Sequence, residues 1–498
     1  MISTSPTSSE PGSAWASPRR ALSLLALWLL ATLGVRPLLL PDEGRYANVA
    51  RDMLLGDGLT PLINGLPFFH KPPLLYWLDM AAMSVVGVNQ FSARFGAFVG
   101  AWVMGAALFL AVRRWHGPRA ALVALAALAT TPFFFVGGQY ANLDMLVGGM
   151  LAATILAFAR AAEDERPALR WIAIAWLFAA LSVLAKGLIG IVLPAFVLAP
   201  WLFVQGRWRT VLRLLHPVGW AVFAVVAMPW FVLMQMRYPG FFDYFIVEQH
   251  FRRFALTTFN NVHPWWFYIV ALPALTLPWS LWLPAAWRDE SLRADRQRMG
   301  LYLWWIVVIV GFFSLPSSKL VGYVLPALAP WCLLLAMASM RFERRRLATL
   351  GVGASVCLVV VVALAVKSPH SSKPVAQVLA QRIAPNDRVV FVDEVFFDLS
   401  YYVKLPRPAV IASDWASPDI PRRDNWRKEL WDAARFDPEQ ARNVLWPIER
   451  LPELACGDTA TWFVMHPNNL HLVSGVPGIQ PVATNKDVML MRAPGRRC

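Results

Sequence analysis

Long apolar runs alternate with short polar ones from residue 21 to residue 366. Eleven of them, 21–40, 92–112, 119–136, 141–160, 171–185, 188–204, 216–236, 264–287, 300–314, 321–340 and 347–366, approach or reach the length that crosses a bilayer core. A helix needs about 20 apolar residues for that. Segment 73–88 is a further helix or lies in the interface. The pattern predicts a polytopic α-helical membrane protein of about 11–13 transmembrane helices. Run 21–40 follows Arg19-Arg20 and is too long for the apolar core of a cleaved signal, so it reads as a first helix with 1–20 as a cytoplasmic tail.

After Val366 the pattern changes. Residues 367–498 carry charge and proline, with short β-type runs at Arg388–Val395, Trp462–His466 and Val488–Arg492. They predict a small soluble α/β domain. The arginine-bearing loops (Arg113, Arg114, Arg119; Arg160, Arg166, Arg170; Arg207, Arg209, Arg213; Arg288, Arg293, Arg296, Arg298; Arg341, Arg344, Arg345, Arg346) fall on one side if the spans alternate. The positive-inside rule makes that side cytoplasmic. An odd number of spans then places the C-terminal domain outside.

Composition agrees: 57% of residues are hydrophobic and 15% charged, with a mean hydropathy of +0.48. The net charge of +15 comes from these loops, so it does not point to nucleic acid as a partner. Of four cysteines, Cys332 and Cys357 fall in apolar runs; Cys456 and Cys498 fall in the C-terminal domain, where pairing is open.

Polar density concentrates in 41–77, PDEGRYANVARDMLLGDGLTPLINGLPFFHKPPLLYW, which follows the first apolar run. It reads as a catalytic loop at the water–lipid boundary. Tyr46, Val49, Ala50, Met53 and Leu54 share one helical face and Gly56 ends the helix, so Asp42 starts a short amphipathic helix with Arg45 one turn in. Asp42 is a catalytic carboxylate or simply an N-cap. Prolines 72 and 73 hold His70 and Lys71 in an extended or turning backbone. Before Lys367 the chain has only three lysines, Lys71, Lys186 and Lys319, all outside and against the positive-inside bias. An anionic ligand is the natural reason; for Lys71 the alternative is snorkelling.

Asp144, in GGQYANLDMLVGG, and Lys186, in LAKGLIG, are charges in apolar company, hence functional or a structural ion pair. Loop 237–263 holds Glu248, His250, Arg252, Arg253 and His263 before an aromatic run that reads as an interfacial belt. His263 is a metal ligand or an ordinary hydrogen-bonded histidine. His70 and His263 together fall short of the three or four ligands zinc takes.

These segments, PDEGRYANVARDML, GDGLTPLINGLPFFHKPPLLYWL, Asp144, KGLIG, FIVEQHFRRF, HPWWFY and KLVGYVLPALAP, resemble the bacterial 4-amino-4-deoxy-L-arabinose lipid A transferase family over roughly 1–366. Its members are integral membrane glycosyltransferases of the GT-C superfamily, related to protein O-mannosyltransferases. The resemblance implies a GT-C fold over 21–366, a periplasmic catalytic loop at 41–77 and a periplasmic domain at 367–498. It implies an undecaprenyl-phosphate-linked sugar donor and a lipid A phosphate acceptor at the periplasmic face of the inner membrane, among membrane lipids. Asp42, Arg45, Lys71 and Asp144 are its catalytic candidates. Tyr46, Lys186, Glu248, Arg253, Lys319 and Tyr323 are its substrate-binding candidates. In the family the residue before the KPP lysine is usually Glu and resembles a metal ligand; here it is His70, so zinc held by His70 and His263 is the implied cofactor. Transfer of another sugar such as a hexosamine, a protein or polysaccharide acceptor, or a carrier role for the lipid-linked sugar are the alternatives. No repeat is visible and the charges gather at one mouth, unlike many transporters.

Overall fold

The computed structural model describes residues 17–164, 168–252, 261–288, 295–367 and 370–495. Arg166, Arg253, Arg293, Cys498 and the N-terminal residues 1–16 lie outside them.

Among the described residues, seven helices are long and apolar enough to cross a bilayer; a pair bent by 104°, Phe267–Leu275 with Trp279–Arg288, is a broken span or a re-entrant loop. The expected runs map onto these with identifiable breaks. Helix α1 (Pro18–Leu30) is shorter than run 21–40, because the chain leaves the helix in turns before the buried Arg36 and Pro37. α2 (Asp42–Leu55) and α3 (Leu74–Val86) flank a two-stranded hairpin, β1 (Leu62–Ile63) and β2 (Leu66–Pro67), turned at Asn64-Gly65. α4 (Phe95–Ala129) holds two expected spans in its arms, since Gly117 is non-helical (φ 88°) and Pro118 follows. Only a residue without a Cβ sits easily at that φ.

α5 (Pro132–Gly137) leads to α6 (Leu143–Ala161), α7 (Leu169–Lys186), α8 (Ile189–Val204), α9 (Trp208–Leu214) and α10 (Pro217–Arg237). A π-helical segment, Asp243–Arg252, follows. Run 264–287 is the bent pair, α11 (Phe267–Leu275) and α12 (Leu283–Arg288) with a 3-10 turn between, where Pro273 and Pro278 remove backbone donors. α13 (Arg296–Ser314), a 3-10 segment Val321–Ala327 running into α14 (Leu328–Ser339), and α15 (Glu343–Lys367) complete the body. α6 is its centre, with nearly every residue buried.

The C-terminal domain has a six-stranded sheet ordered β5-β4-β3-β6-β8-β7. β3 (Arg388–Val392), β4 (Val410–Ser413), β5 (Leu445–Pro447) and β6 (Thr461–Met465) are parallel; β8 (Met489–Ala493) runs antiparallel to β6 and to β7 (Gln480–Thr484). The β-type runs read from sequence are β3, β6 and β8. α16 (Lys373–Arg382), α17 (Phe397–Val403) and α18 (Trp426–Ala434) lie among the strands. Cys456 is disulfide-bonded, whereas Cys332 and Cys357 are free and buried.

The domain packs on α2. A Cβ at Gly44 would stand 2.7 Å from the Asp398 backbone nitrogen of α17. Leu38 N donates to Tyr402 Oη (2.6 Å), Tyr401 Oη to Asn89 O (2.8 Å) and Asn64 Nδ2 to Ala409 O (2.8 Å). Polar bonds between segments more than 300 residues apart set the domain over the catalytic-loop segment.

Candidate active site

α2 begins one residue earlier than a capping aspartate would require. Pro41 holds the N-cap position, Asp42 is the first helical residue, and no side chain caps the helix. The Asp42 carboxylate is turned to Arg45 instead, whose Nη2 donates to Oδ1 at 2.7 Å. Asp42 keeps 36% of its side chain exposed, so a substrate can reach it.

Its neighbour Glu43 is fully buried and fixes the turn. Arg36 Nη1 donates to Oε2 (2.5 Å) and Nη2 to Oε1 (3.0 Å); Arg94 Nε donates to Oε1 (2.8 Å) and Nη2 to Oε2 (3.1 Å). The backbone nitrogens of Leu39 and Ala141 add bonds of 2.9 and 2.8 Å. Burial alone would raise this carboxyl; the guanidinium groups of Arg94 and Arg36 outweigh it and hold its pKa at about 2. The clamp joins the α1–α2 connection, the start of α4 and the turn before α6, so Asp42 stands on a rigid base.

Arg45 Nη1 donates to Glu429 of α18. His70 stacks on Phe68 (4.7 Å between centroids), with Nδ1 3.9 Å from Glu429 Oε1 and Nε2 3.9 Å from Asp432 Oδ2. Lys71 follows, partly buried.

A second ion pair joins α6 and α7. Asp144 sits in the first turn of α6, where a helix favours an anion, and Lys186 ends α7, where it favours a cation. Lys186 Nζ is 2.5 Å from Asp144 Oδ1 and 4.4 Å from the centre of the Tyr323 ring. The Gly322 backbone closes on the pair: a Cβ there would meet Asp144 Oδ2 at 2.3 Å. The buried Tyr46 phenol is the link. Burial raises its pKa, and the charges of Asp42, Asp144 and Glu429 raise it further against the nearby Arg45. Carboxylates from three distant stretches therefore act on one phenol.

Three other expected site residues make contacts of a different kind. Lys319 is buried and its Nζ donates to the carbonyls of Pro316 (2.5 Å) and His263 (2.9 Å), so it ties its own loop to the segment at His263. Glu248 lies 3.7 Å from Arg435 of the C-terminal domain. The His263 ring stacks on Phe267 at 4.2 Å. Arg253 is outside the described residues. No group of three or more His, Cys, Asp or Glu able to hold a metal occurs among the described residues. No step below runs through a metal at His70 and His263.

Sequence reasoning missed the roles of Glu43, Arg36, Arg94, Glu429 and Asp432. Arg36 had a signal, a charge inside the apolar run 21–40; Glu43 had only its place in the polar stretch 41–77. Glu429 and Asp432 had none, being ordinary acids on a soluble amphipathic helix.

Residues 70–234 match the family profile described as dolichyl-phosphate-mannose-protein mannosyltransferase. An undecaprenyl phosphate-alpha-4-amino-4-deoxy-L-arabinose arabinosyl transferase 2 from Pseudomonas fluorescens (strain Pf0-1) is 34% identical over 343 residues, 67% of this chain and 61% of that one. Over about two thirds of its length the chain is similar to 4-amino-4-deoxy-L-arabinose transferases. Another relative of that name, from Pseudomonas aeruginosa (strain LESB58), is 33% identical over 65% of this chain and 60% of that one. The chain thus spans about three fifths of the length of these relatives. Among solved structures, ArnT from Cupriavidus metallidurans bound to undecaprenyl phosphate matches with a TM-score of 0.83 at 22% identity, over 96% of this chain and 98% of that one. The archaeal oligosaccharyltransferase AglB from Archaeoglobus fulgidus matches with a TM-score of 0.55 at 13% identity, over 92% and 70%. The likeness in fold to the first of these therefore extends through the C-terminal sheet.

Proposed function

We propose that this membrane protein transfers an amino sugar, 4-amino-4-deoxy-L-arabinose, from an undecaprenyl-phosphate donor to a phosphate of lipid A at the periplasmic face of the inner membrane. The observation that carries the reading is two ion pairs set against aromatic rings: Asp42–Arg45, with the Arg45 guanidinium 5.2 Å from the Tyr46 ring, and Asp144–Lys186, with Lys186 4.4 Å from the Tyr323 ring. The names of the relatives supply the substrate class, and the one-sided arginines of the loops supply the orientation.

In the reaction, the bond from the sugar's anomeric carbon to the donor phosphate oxygen breaks, and undecaprenyl phosphate leaves with the electron pair. A lipid A phosphate oxygen bonds to the same carbon. Negative charge builds on the leaving phosphate and positive charge on the ring. Lys71 and Lys186 are the cations for the phosphate, Lys186 while still neutralising Asp144. Asp42 and Asp144 stabilise the ring's positive charge and receive the sugar's ammonium. A phosphate acceptor is already ionised near neutral pH and needs no general base, so the aspartates act electrostatically. A hydroxyl acceptor, which the mannosyltransferase profile over 70–234 favours, would make Asp42 the base.

The test is the purified full chain in lipid nanodiscs with undecaprenyl-phosphate aminoarabinose and lipid A, read by mass spectrometry. Acceptor-dependent release of undecaprenyl phosphate with a pentose amine on lipid A is the expected result. Lipid movement without cleavage would establish a carrier, and a modified hydroxyl would establish the second acceptor class; either rejects the reading.

A further inference from the structure

Glu429 and Asp432 are three positions apart on α18, on one face of the helix. Both carboxylates meet the membrane body. Glu429 Oε1 accepts from Arg45 Nη1 and lies 3.9 Å from His70 Nδ1. Asp432 Oδ2 lies 3.9 Å from His70 Nε2 and accepts from Tyr244 Oη at 3.2 Å. The helix is also tied to its own sheet. Asn425 caps it by accepting from the backbone nitrogens of Arg427 and Lys428, and Arg427 Nη2 donates to Asp393, just after β3.

Asp42, Arg45 and Glu429 form a chain. Arg45 bonds one carboxylate with each terminal nitrogen, and its side chain is 19% exposed. One guanidinium between two carboxylates carries a net charge of about −1 as a group, which does not recruit a phosphate. The planar guanidinium does transmit direction: fixing one nitrogen fixes the other. Arg45 is thus arranged to aim Asp42, and Glu429 to aim Arg45.

We propose that Glu429 is a positioning residue for transfer, acting through Arg45 on Asp42, so that the C-terminal domain completes the site. This rests on the reading of Asp42 as a group that acts on the sugar. The link crosses 384 residues of sequence and joins the two parts of the protein at the reacting end of α2.

The test uses the full chain in nanodiscs, with Glu429→Gln, Glu429→Asp, Arg45→Ala and the double variant Arg45→Ala/Glu429→Gln. Glu429→Gln is expected to lower kcat about tenfold to hundredfold while the donor KM stays within about twofold. Glu429→Asp should recover part of the rate, and Glu429→Gln should cost nothing further once Arg45 is Ala. Wild-type kcat per folded molecule in Glu429→Gln, or losses that multiply in the double variant, would overturn the proposal. The same four proteins are compared by thermal unfolding without substrate. Tm losses smaller in the double variant than the sum of the singles support the link, and additive losses overturn it. Absence of transfer by the unaltered chain would reject the proposed function separately, leaving the thermal cycle to decide the link.

Discussion

Lys186 Nζ lies 2.5 Å from Asp144 Oδ1, tying the last turn of α7 to the first turn of α6. Both side chains are mostly buried, 15% and 10% exposed. Removing one member strands the other in a poorly solvated site, at a cost of about 3–5 kcal/mol. Lys186→Ala and Asp144→Asn should each lower transfer about hundredfold or more, and each should lower Tm. The double variant should be less damaged than the sum, a non-additivity that a thermal cycle in detergent reads directly.

Gly322→Ala tests the same site without touching a charge. The new methyl would stand 2.3 Å from Asp144 Oδ2 and 3.0 Å from its Cγ. A short side chain already held by Lys186 has little room to retreat. Transfer should fall about hundredfold from misplacement of the carboxylate. A variant that folds and turns over at the wild-type rate would show that the carboxylate's position is unimportant.

Glu43→Gln should destabilise the protein by about 3–5 kcal/mol, because it leaves Arg36 and Arg94 buried without their counter-charge. The pH dependence has a definite sign. The Glu43 pKa is depressed, from 4.5 to about 2. Its stabilisation is therefore full above the ordinary carboxyl range and fades as pH falls from about 4.5 through about 2. Thermal unfolding of the unaltered chain from neutral to acid pH should show this loss, and Glu43→Gln should lack it.

Asp52 has the opposite sign. Burial raises its pKa to about 7 despite the Arg51 guanidinium 3.2 Å away and the Asn48 amide at 3.0 Å. The folded chain holds this proton, so the contribution is present in acid and is lost as pH rises through about 7. Asp52→Asn should match the wild type near pH 4, gain on it as pH rises from about 4 to about 7, and keep a constant Tm advantage near pH 8. An equal Tm gap at both pH values would count against the shift.

The membrane architecture was legible because it depends on local quantities. Apolar run length, proline breaks and arginine placement are read residue by residue, and the breaks at Gly117 and Pro278 follow the same local chemistry. The parallel and antiparallel strands β3, β6 and β8 announced themselves through short β-branched and aromatic runs. Asp144 and Lys186 stood out because a charge in apolar company is costly and needs a reason; Asp42 and Arg45 stood out through the polar density of 41–77.

Partnership was not legible. The sequence by itself marked Asp42 as a start to α2, but could not separate a cap from an active carboxylate; the turn of Asp42 toward Arg45 shows that it does not cap the helix. It grouped Lys319 with Lys71 and Lys186 by charge and side, and folding set Lys319 against its own loop's carbonyls. Glu429 is an unremarked acid until α18 is laid over α2. Hydrophobic pattern is a property of neighbours along the chain, whereas an ion pair depends on distance in space, and only the packed structure brings residues 45 and 429 together.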